Sequence, residues 1–454
     1  MSEKHLFKTK SGVNYLLPFV LVTLCFALWG FANDITNPMV KAFSKIFRMS
    51  VTDGALVQLA FYGGYFAMAL PAALFIRRFS YKAGLVMGLG LYAAGALLFI
   101  PAKWTGNYYP FLFAYFIMTC GLSFLETSAN PYVLSMGEHE DATRRLNLAQ
   151  AFNPIGSLMG MFVAMTFIQS RLNPLSSSER ALLNDTEFEA VKAADLDVLV
   201  NPYMVLGIII LLIFLCFIFV KMPKGETREM GANSIGATFK RLLSNVTYRE
   251  GVVAQFFYVG AQIMCWTFII QYGTRVFMGE GLSEIDAEVF SQKYNIAAMI
   301  IFCCSRFICT FMMKYVRAER LLSLLSIIAS VLVIGVIFIG GRAGLYCLVA
   351  VSGCMSLMFP TIYGLALDGV GDDAKIGAAG LIMAILGGSV LPPLQAMIID
   401  SKGALGINPT NLSFILPLLC FVIIAIYGFR NNKSLKTRVV SRSLISTFGT
   451  QSGA

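Results

Sequence analysis

The stretch FLETSANPYV, Phe124 to Val133, places a carboxylic acid, Glu126, and an amide, Asn130, inside a long apolar run. Four residues apart, both side chains share one face of a helix. A carboxyl group in oily surroundings is costly unless it meets a cavity, a partner or a proton. Burial favours its neutral form, so it can take and release a proton as its access to water changes. The competing reading is a structural hydrogen bond between helices.

Other polar residues follow the same habit. In LWGFANDITNPMV, Trp29, Asn33 and either Thr36 or Asn37 recur at helical spacing, with Asp34 beside them. Asp34 is either inside a span or a solvated cap where the helix ends. The apolar stretch from Tyr15 to Phe31 is short of a full crossing, which favours the first. In RRLNLAQAFNPIGSLMG, Asn147, Gln150 and Asn153 lie roughly on one face, followed by a Gly156-x-x-x-Gly160 pair that permits close helix packing. In AQFFYVGAQIMCW, Gln255, Tyr258, Gln262 and Trp266 form another stripe. Amides offer paired donors and acceptors that suit hydroxyl-rich ligands. An aromatic ring can stack on the apolar face of a pyranose. Ordinary packing is the alternative for Tyr258 and Trp266.

Absent groups narrow the chemistry. Only two histidines occur, His5 and His139, both outside the apolar runs. The ten cysteines lie within apolar segments without metal-type spacing and read as small buried hydrophobes. No metal site, disulfide framework or Ser-His catalysis is expected, and no catalytic residue is assigned. There is no Walker motif and no Gly-rich dinucleotide loop, so no cofactor is expected. The chain reads as a non-enzyme. A receptor, or an enzyme acting on lipid or sugar, would need a catalytic constellation or a soluble domain. Moving a solute would have to draw on an ion gradient or the solute's own gradient.

The elements that position these residues follow from composition. The chain has 454 residues, 57% hydrophobic and 13% charged, with mean hydropathy +0.72. That charge content is about half the globular norm. Apolar runs long enough to cross a bilayer recur at 15–37, 54–76, 82–102, 109–134, 146–170, 202–221, 250–275, 290–314, 321–340, 344–369, 375–399 and 411–430. The first follows a Lys-containing head, lacks a clear cleavage site and is expected to be retained. An all-α membrane protein of twelve transmembrane helices in two six-helix bundles is therefore expected. With the N-terminus inside, twenty-three of the 35 Lys and Arg fall on the inner side and eleven on the outer. That bias predicts both termini in the cytoplasm of a cell whose inner membrane the chain crosses. The basic residues are scattered over short loops, which argues against nucleic-acid binding.

The basic segment from Lys221 to Gly251 divides the spans six and six. The expected organisation is an N-terminal bundle at 1–221, a cytoplasmic linker at 222–249, a C-terminal bundle at 250–430 and a tail at 431–454. NPIGSLMG in the fifth span and LGGSVLPP in the eleventh occupy matching places, suggesting parallel repeats. The eleventh span, rich in small residues, reads as a packing or hinge element. The acidic loop SSSERALLNDTEFEAVKAADLDVL allows a short surface helix and carries no functional signal. Arg306, in the eighth span, is expected near its inner end in a loop-facing ion pair.

Taken together, LWGFANDITNP, LVQLAFYGGYF, FLETSANPYV, RLNLAQAFN, AQFFYVGAQIMCW and FPTIYGLAL resemble the L-fucose–proton symporter group of the major facilitator superfamily. The likeness runs across nearly all twelve spans. It implies alternating access by rocking of two bundles and a central cavity for a deoxyhexose or related hexose. It also implies a small-molecule sugar and a proton as partners, the lipid bilayer as surroundings, and a functional monomer. In that group a glutamate in LETAANP serves proton coupling and sugar recognition, and Glu126 matches it. The resemblance assigns Gln150, Asn153, Gln255, Tyr258 and Gln262 to sugar contacts, with Asn33, Asn37, Asn130 and Phe359 in the same site. Two positions depart from the group. Its helix-one acid, in NNLNDI, pairs with Asn37, while Asp34 lies one turn earlier; either Asp34 substitutes or Glu126 titrates alone. Its helix-ten aromatic in YPTI is Phe359, without a hydroxyl, which could alter the hydroxyl that is read. Glucose, galactose or N-acetylglucosamine are the alternative cargoes.

Overall fold

The computed structural model describes residues 14–36, 39–49, 56–175, 177–220, 222, 235–399 and 408–449. Among them, twelve helices are long and apolar enough to cross a membrane. They are Leu16–Thr36, Ala60–Arg78, Tyr81–Thr105, Tyr109–Leu134, His139–Arg171, Asp185–Phe219, Val246–Gly279, Val289–Met312, Ala318–Phe338, Gly341–Ala366, Ala374–Ile399 and Pro409–Asn432. These are spans 1 to 12 below. Span 6 differs from its expected start at 202. The Asn184 side chain accepts from Glu187 N and the Glu187 side chain accepts from Asn184 N, a capping box that starts the helix at Asp185. Most of the acidic loop is thus the first turns of span 6. The cysteines also divide. Six are buried, but Cys216 and Cys304 are exposed on the outer faces of their helices.

Among the described residues five spans are broken: span 3 at Leu98, span 12 at 413–414, and spans 5, 10 and 11, of which 5 and 10 break for the same reason. Span 5 splits into Ala142–Gln150 and Asn153–Val163. Span 10 splits into Gly341–Met355 and Met358–Ala366. Pro154 and Pro360 sit just past the breaks. A proline has no N–H to give the carbonyl four residues back, and its ring crowds that carbonyl. Span 11 breaks at a 3-10 turn, Ala384–Leu386, ahead of the Gly387–Gly388 pair.

The chain groups into two compact units, Met1–Phe239 with Val370–Met383, and Lys240–Gly369 with Ala384–Ala454. In the first, span 4 packs on spans 2 and 3, and span 1 lies along the second half of span 5. The Ala374–Met383 half of span 11 packs on spans 2 and 4. There Lys375 Nζ lies 5.1 Å from the centroid of the Tyr81 ring, which stacks on Tyr132. In the second unit, span 7 is the hub. It packs on span 8, on Gly387–Ile399 and on the final helix, Ile415–Gly449.

Both units use one device to bring helices together. A Cβ on Gly156 would lie 1.8 Å from the Ala27 carbonyl oxygen, and one on Gly387 would lie 2.0 Å from that of Phe256. Span 5 thus meets span 1, and span 11 meets span 7, backbone to backbone. Gly387 lies in LGGSVLPP, one residue before the glycine that matches Gly156 in the shared Gly-Ser pair.

One end of the first unit is fastened by a buried ion pair. Arg180 Nη2 donates to Asp195 Oδ2 at 2.6 Å, with both side chains almost wholly buried. The same guanidinium donates to the carbonyl of Asn173 at 3.0 Å. Asn173 N donates to Asp195 Oδ1 at 2.7 Å, and Lys45 Nζ donates to Asn173 O at 2.7 Å. The loop read as functionally silent therefore pins the turn after span 1 to the segment after span 5.

Candidate functional site

In the first unit the polar residues of spans 4 and 5 form a chain. Asn130 Nδ2 donates to the Glu126 carbonyl at 3.0 Å. Its Oδ1 accepts from Gln150 Nε2 at 2.6 Å. Glu126 is 2% exposed, and its Oε2 has no hydrogen-bond partner. Buried polar atoms left in this state are few in native proteins, and each invites an explanation. A carboxyl oxygen with no fixed partner is free to meet a proton or a ligand hydroxyl.

Sequence reasoning missed the aromatic wall beside this acid. Tyr65, from span 2, lies within electrostatic reach of Glu126. Trp29 Nε1 donates to its hydroxyl, and Ser123 Oγ donates to its carbonyl at 3.2 Å. Spans 1, 2 and 4 are thereby tied at the level of the carboxyl group. The signal was present as Tyr62 and Tyr65 in FYGGYF, three apart, each with a polar tip in an apolar run.

Asp34 lies within the last turn of the first helix and is 9% exposed, which rules out a solvated cap. Tyr62 is its electrostatic neighbour. Asn33 is half-buried. Asn37 lies outside the described residues.

The three amides of span 5 do not share a face, because the break at 151–152 intervenes. Asn147 Nδ2 donates to Thr143 O at 3.0 Å, Gln150 turns to Asn130, and Asn153 Nδ2 donates to Phe26 O at 3.2 Å. Asn153 thus fastens span 5 to span 1, next to the Gly156 contact.

In the second unit, Gln255 is fully buried, and neither its Nε2 nor its Oε1 has a hydrogen-bond partner. Tyr258 is also fully buried, and its hydroxyl donates to Met355 O at 3.1 Å. Its ring meets Phe359 at 6.2 Å between centroids, and Phe359 stacks on Tyr363 at 6.3 Å. Gln262 is half-buried. Trp266 donates to Ser352 Oγ at 3.2 Å and sets its ring edge against Phe302. Tyr258 and Trp266 are therefore held in packing bonds to span 10. Gln255 is the fully buried member of this stripe with a whole amide to offer.

Arg306 is buried, not loop-facing as expected. It is 3% exposed and donates through Nε to the Ser356 carbonyl. Its guanidinium lies 4.7 Å from the Phe302 ring centroid. Ser356 is four residues before Pro360, so its carbonyl has lost its helical donor. Arg306 supplies one.

Among the described residues, no three His, Cys, Asp or Glu side chains gather as a metal site requires. What the arrangement offers is two buried carboxyl groups, Glu126 and Asp34, an amide chain and a separate unpaired amide.

Known proteins resemble the chain along nearly its whole length. The chain is 51% identical to the L-fucose-proton symporter of Haemophilus influenzae over 430 residues, covering 93% of this chain and 98% of that one. It is 33% identical to the L-fucose-proton symporter of Escherichia coli, covering 91% and 93%. It is 31% identical to the glucose/galactose transporter of Brucella abortus, covering 94% and 97%. The crystal structure of FucP, a transporter caught in the outward conformation, superposes with a TM-score of 0.82 at 32% identity, covering 92% of this chain and 99% of that chain. The Major Facilitator Superfamily model matches residues 22–392, and the chain belongs to that superfamily.

Proposed function

We propose that this protein imports L-fucose together with a proton by alternating access. The observation that carries the reading is Glu126, buried, with a free carboxyl oxygen at the end of the Asn130–Gln150 amide chain. A group in that setting changes charge only when a path to water opens. Protonation removes a buried charge and so favours the conformations in which the site is closed to water. Sugar and proton are coupled because each biases the same two-state equilibrium. Release of both on the inner side resets the carrier.

Asn33, Asn37, Asn130, Gln150, Asn153, Gln255, Tyr258, Gln262 and Phe359 are assigned to sugar recognition. Gln255 supports this best, since its amide has the donor and acceptor that two adjacent hydroxyls need. Asp34 is assigned as the second proton-linked acid. Asn153 acts through span 1, whose carbonyl it holds. The moving bodies are 1–221 and 250–430, joined by 222–249 and followed by the tail at 431–454. The excess of basic residues on one side supports cytoplasmic termini in an inner membrane. The functional unit is a monomer.

A related cargo is the second reading, favoured by the glucose/galactose transporter relatives and by the missing hydroxyl at Phe359. Competition of labelled L-fucose uptake by a panel of hexoses separates the two. Fucose should compete best. Stronger competition by glucose or galactose would replace the cargo and leave the mechanism standing. Glu126→Gln should retain sugar exchange and lose accumulation against a gradient. Normal uphill uptake by that variant would remove Glu126 from the proton role.

A further inference from the structure

The first unit carries a groove of about 550 Å³ that the transport cycle above does not use. Span 1 lends it Leu24 and Leu28, span 5 Met159 and Phe167, and span 6 Val205 and Ile209. Leu24, Met159, Phe167, Val205 and Ile209 are all exposed on the outer face of their helices. In a spanning protein such a face meets lipid. The groove follows span 6 from Val198 to Ile209, about 16 Å of helix at 1.5 Å per residue. Half the hydrocarbon core of a bilayer is about 15 Å. The groove therefore has the length of one leaflet's acyl chain.

Polar groups stand at the end where span 5 stops. Arg171 is the last residue of that span, and it lines the groove together with Asn201. A π turn at Ala164–Ile168 widens the helix just before it. Val163, Phe167 and Arg171, spaced by four, all line the groove, and the Arg171 guanidinium lies 5.2 Å from the Phe167 ring centroid. Arg171 makes no ion pair with any described carboxylate. Beyond it, the Arg180–Asp195 pair grips Asn173 and holds this end of the chain in place. Trp104 and Tyr109, on the turn between spans 3 and 4 at the same end, are 77% and 74% exposed. Aromatic side chains so placed mark a headgroup level.

We propose that this groove holds one acyl chain of an anionic phospholipid from the leaflet at that end. The unpaired Arg171 guanidinium takes the phosphate, and the Asn201 amide takes an ester carbonyl. An anionic headgroup is favoured over a zwitterionic one because the latter would bring an ammonium group beside Arg171. The site is separate from Glu126 and Gln255, so its failure would leave the transport reading untouched.

Native mass spectrometry of the full chain tests this with phosphatidylglycerol or phosphatidylethanolamine added in matched amounts. The wild type should retain one phosphatidylglycerol in preference to phosphatidylethanolamine. Arg171→Gln should weaken that retention about tenfold, the scale of a lost hydrogen bond to a charged group. Arg171→Lys should keep most of it. Ile209→Trp should fill the groove and abolish it in a protein that stays helical and monodisperse. Equal retention of the two lipids by the wild type would overturn the proposal. So would unchanged retention in both Arg171→Gln and Ile209→Trp, or a second copy of the chain found on this face instead of lipid.

Discussion

Glu126 and Gln255 are both buried with polar atoms that no described residue satisfies. An unsatisfied buried group costs about 1–3 kcal/mol, whereas an apolar group of the same shape is nearly neutral. Gln255→Leu should therefore hold or raise the melting temperature while raising the half-saturation of sugar uptake about tenfold. Lower stability with unchanged uptake would make Gln255 structural. Asn130 should behave in the opposite way, because it accepts from Gln150 and its loss removes that buried bond. Asn130→Ala should cost about 1–3 kcal/mol in thermal unfolding of the purified protein. The acid and the amides were legible in the sequence because polar residue types are rare in apolar runs. Their state was not. Spacing cannot tell an amide that binds its neighbour, like Asn153, from one left unpaired, like Gln255. Tyr65 was missed because a tyrosine in an apolar run reads as packing.

At the scale of elements, prolines decide the architecture. Hydropathy averages over a window, so spans 5 and 10 read as continuous although Pro154 and Pro360 were in plain view. The break in span 5 sends Gln150 and Asn153 to different neighbours, which no single helical wheel could show. The break in span 10 creates the Ser356 carbonyl that Arg306 serves. Arg306→Met should destabilise the second unit by about 1–3 kcal/mol. In a Pro360→Ala background, where residue 360 regains its N–H, that cost should shrink. A double-mutant cycle in thermal unfolding reads the difference, and strict additivity would deny the link. A second clamp joins the ends of spans 7 and 10. Arg342 donates to Glu280 through Nε at 2.7 Å and Nη2 at 2.8 Å. Those bonds hold the Glu280 carboxyl below its ordinary value. A carboxyl depressed by folding stabilises above its unfolded pKa, about 4.3, and the effect is lost as pH falls through the folded value. The gap in melting temperature between wild type and Glu280→Gln should be present at pH 7 and close toward pH 3.

For the molecule as a whole, apolar length gave the span count and the placement of nearly every span, because bilayer thickness leaves helices little choice. Grouping of the helices was harder to read. The first half of span 11, Ala374–Met383, clusters with the first unit, and the division falls at the 3-10 turn that follows. Small residues hinted at a hinge but could not say which helices each half would choose. The backbone contacts at Gly156 and Gly387 bring span 5 against span 1 and span 11 against span 7. The proposed transport cycle depends chiefly on Glu126, whose charge would track the side that is open. The direct measurement is proton uptake triggered by L-fucose in lightly buffered proteoliposomes, made in parallel with sugar exchange. The wild type should draw in protons when fucose is added, and Glu126→Gln should exchange fucose with no proton movement. Fucose-driven proton uptake of normal size in Glu126→Gln would contradict the central role of this carboxyl group.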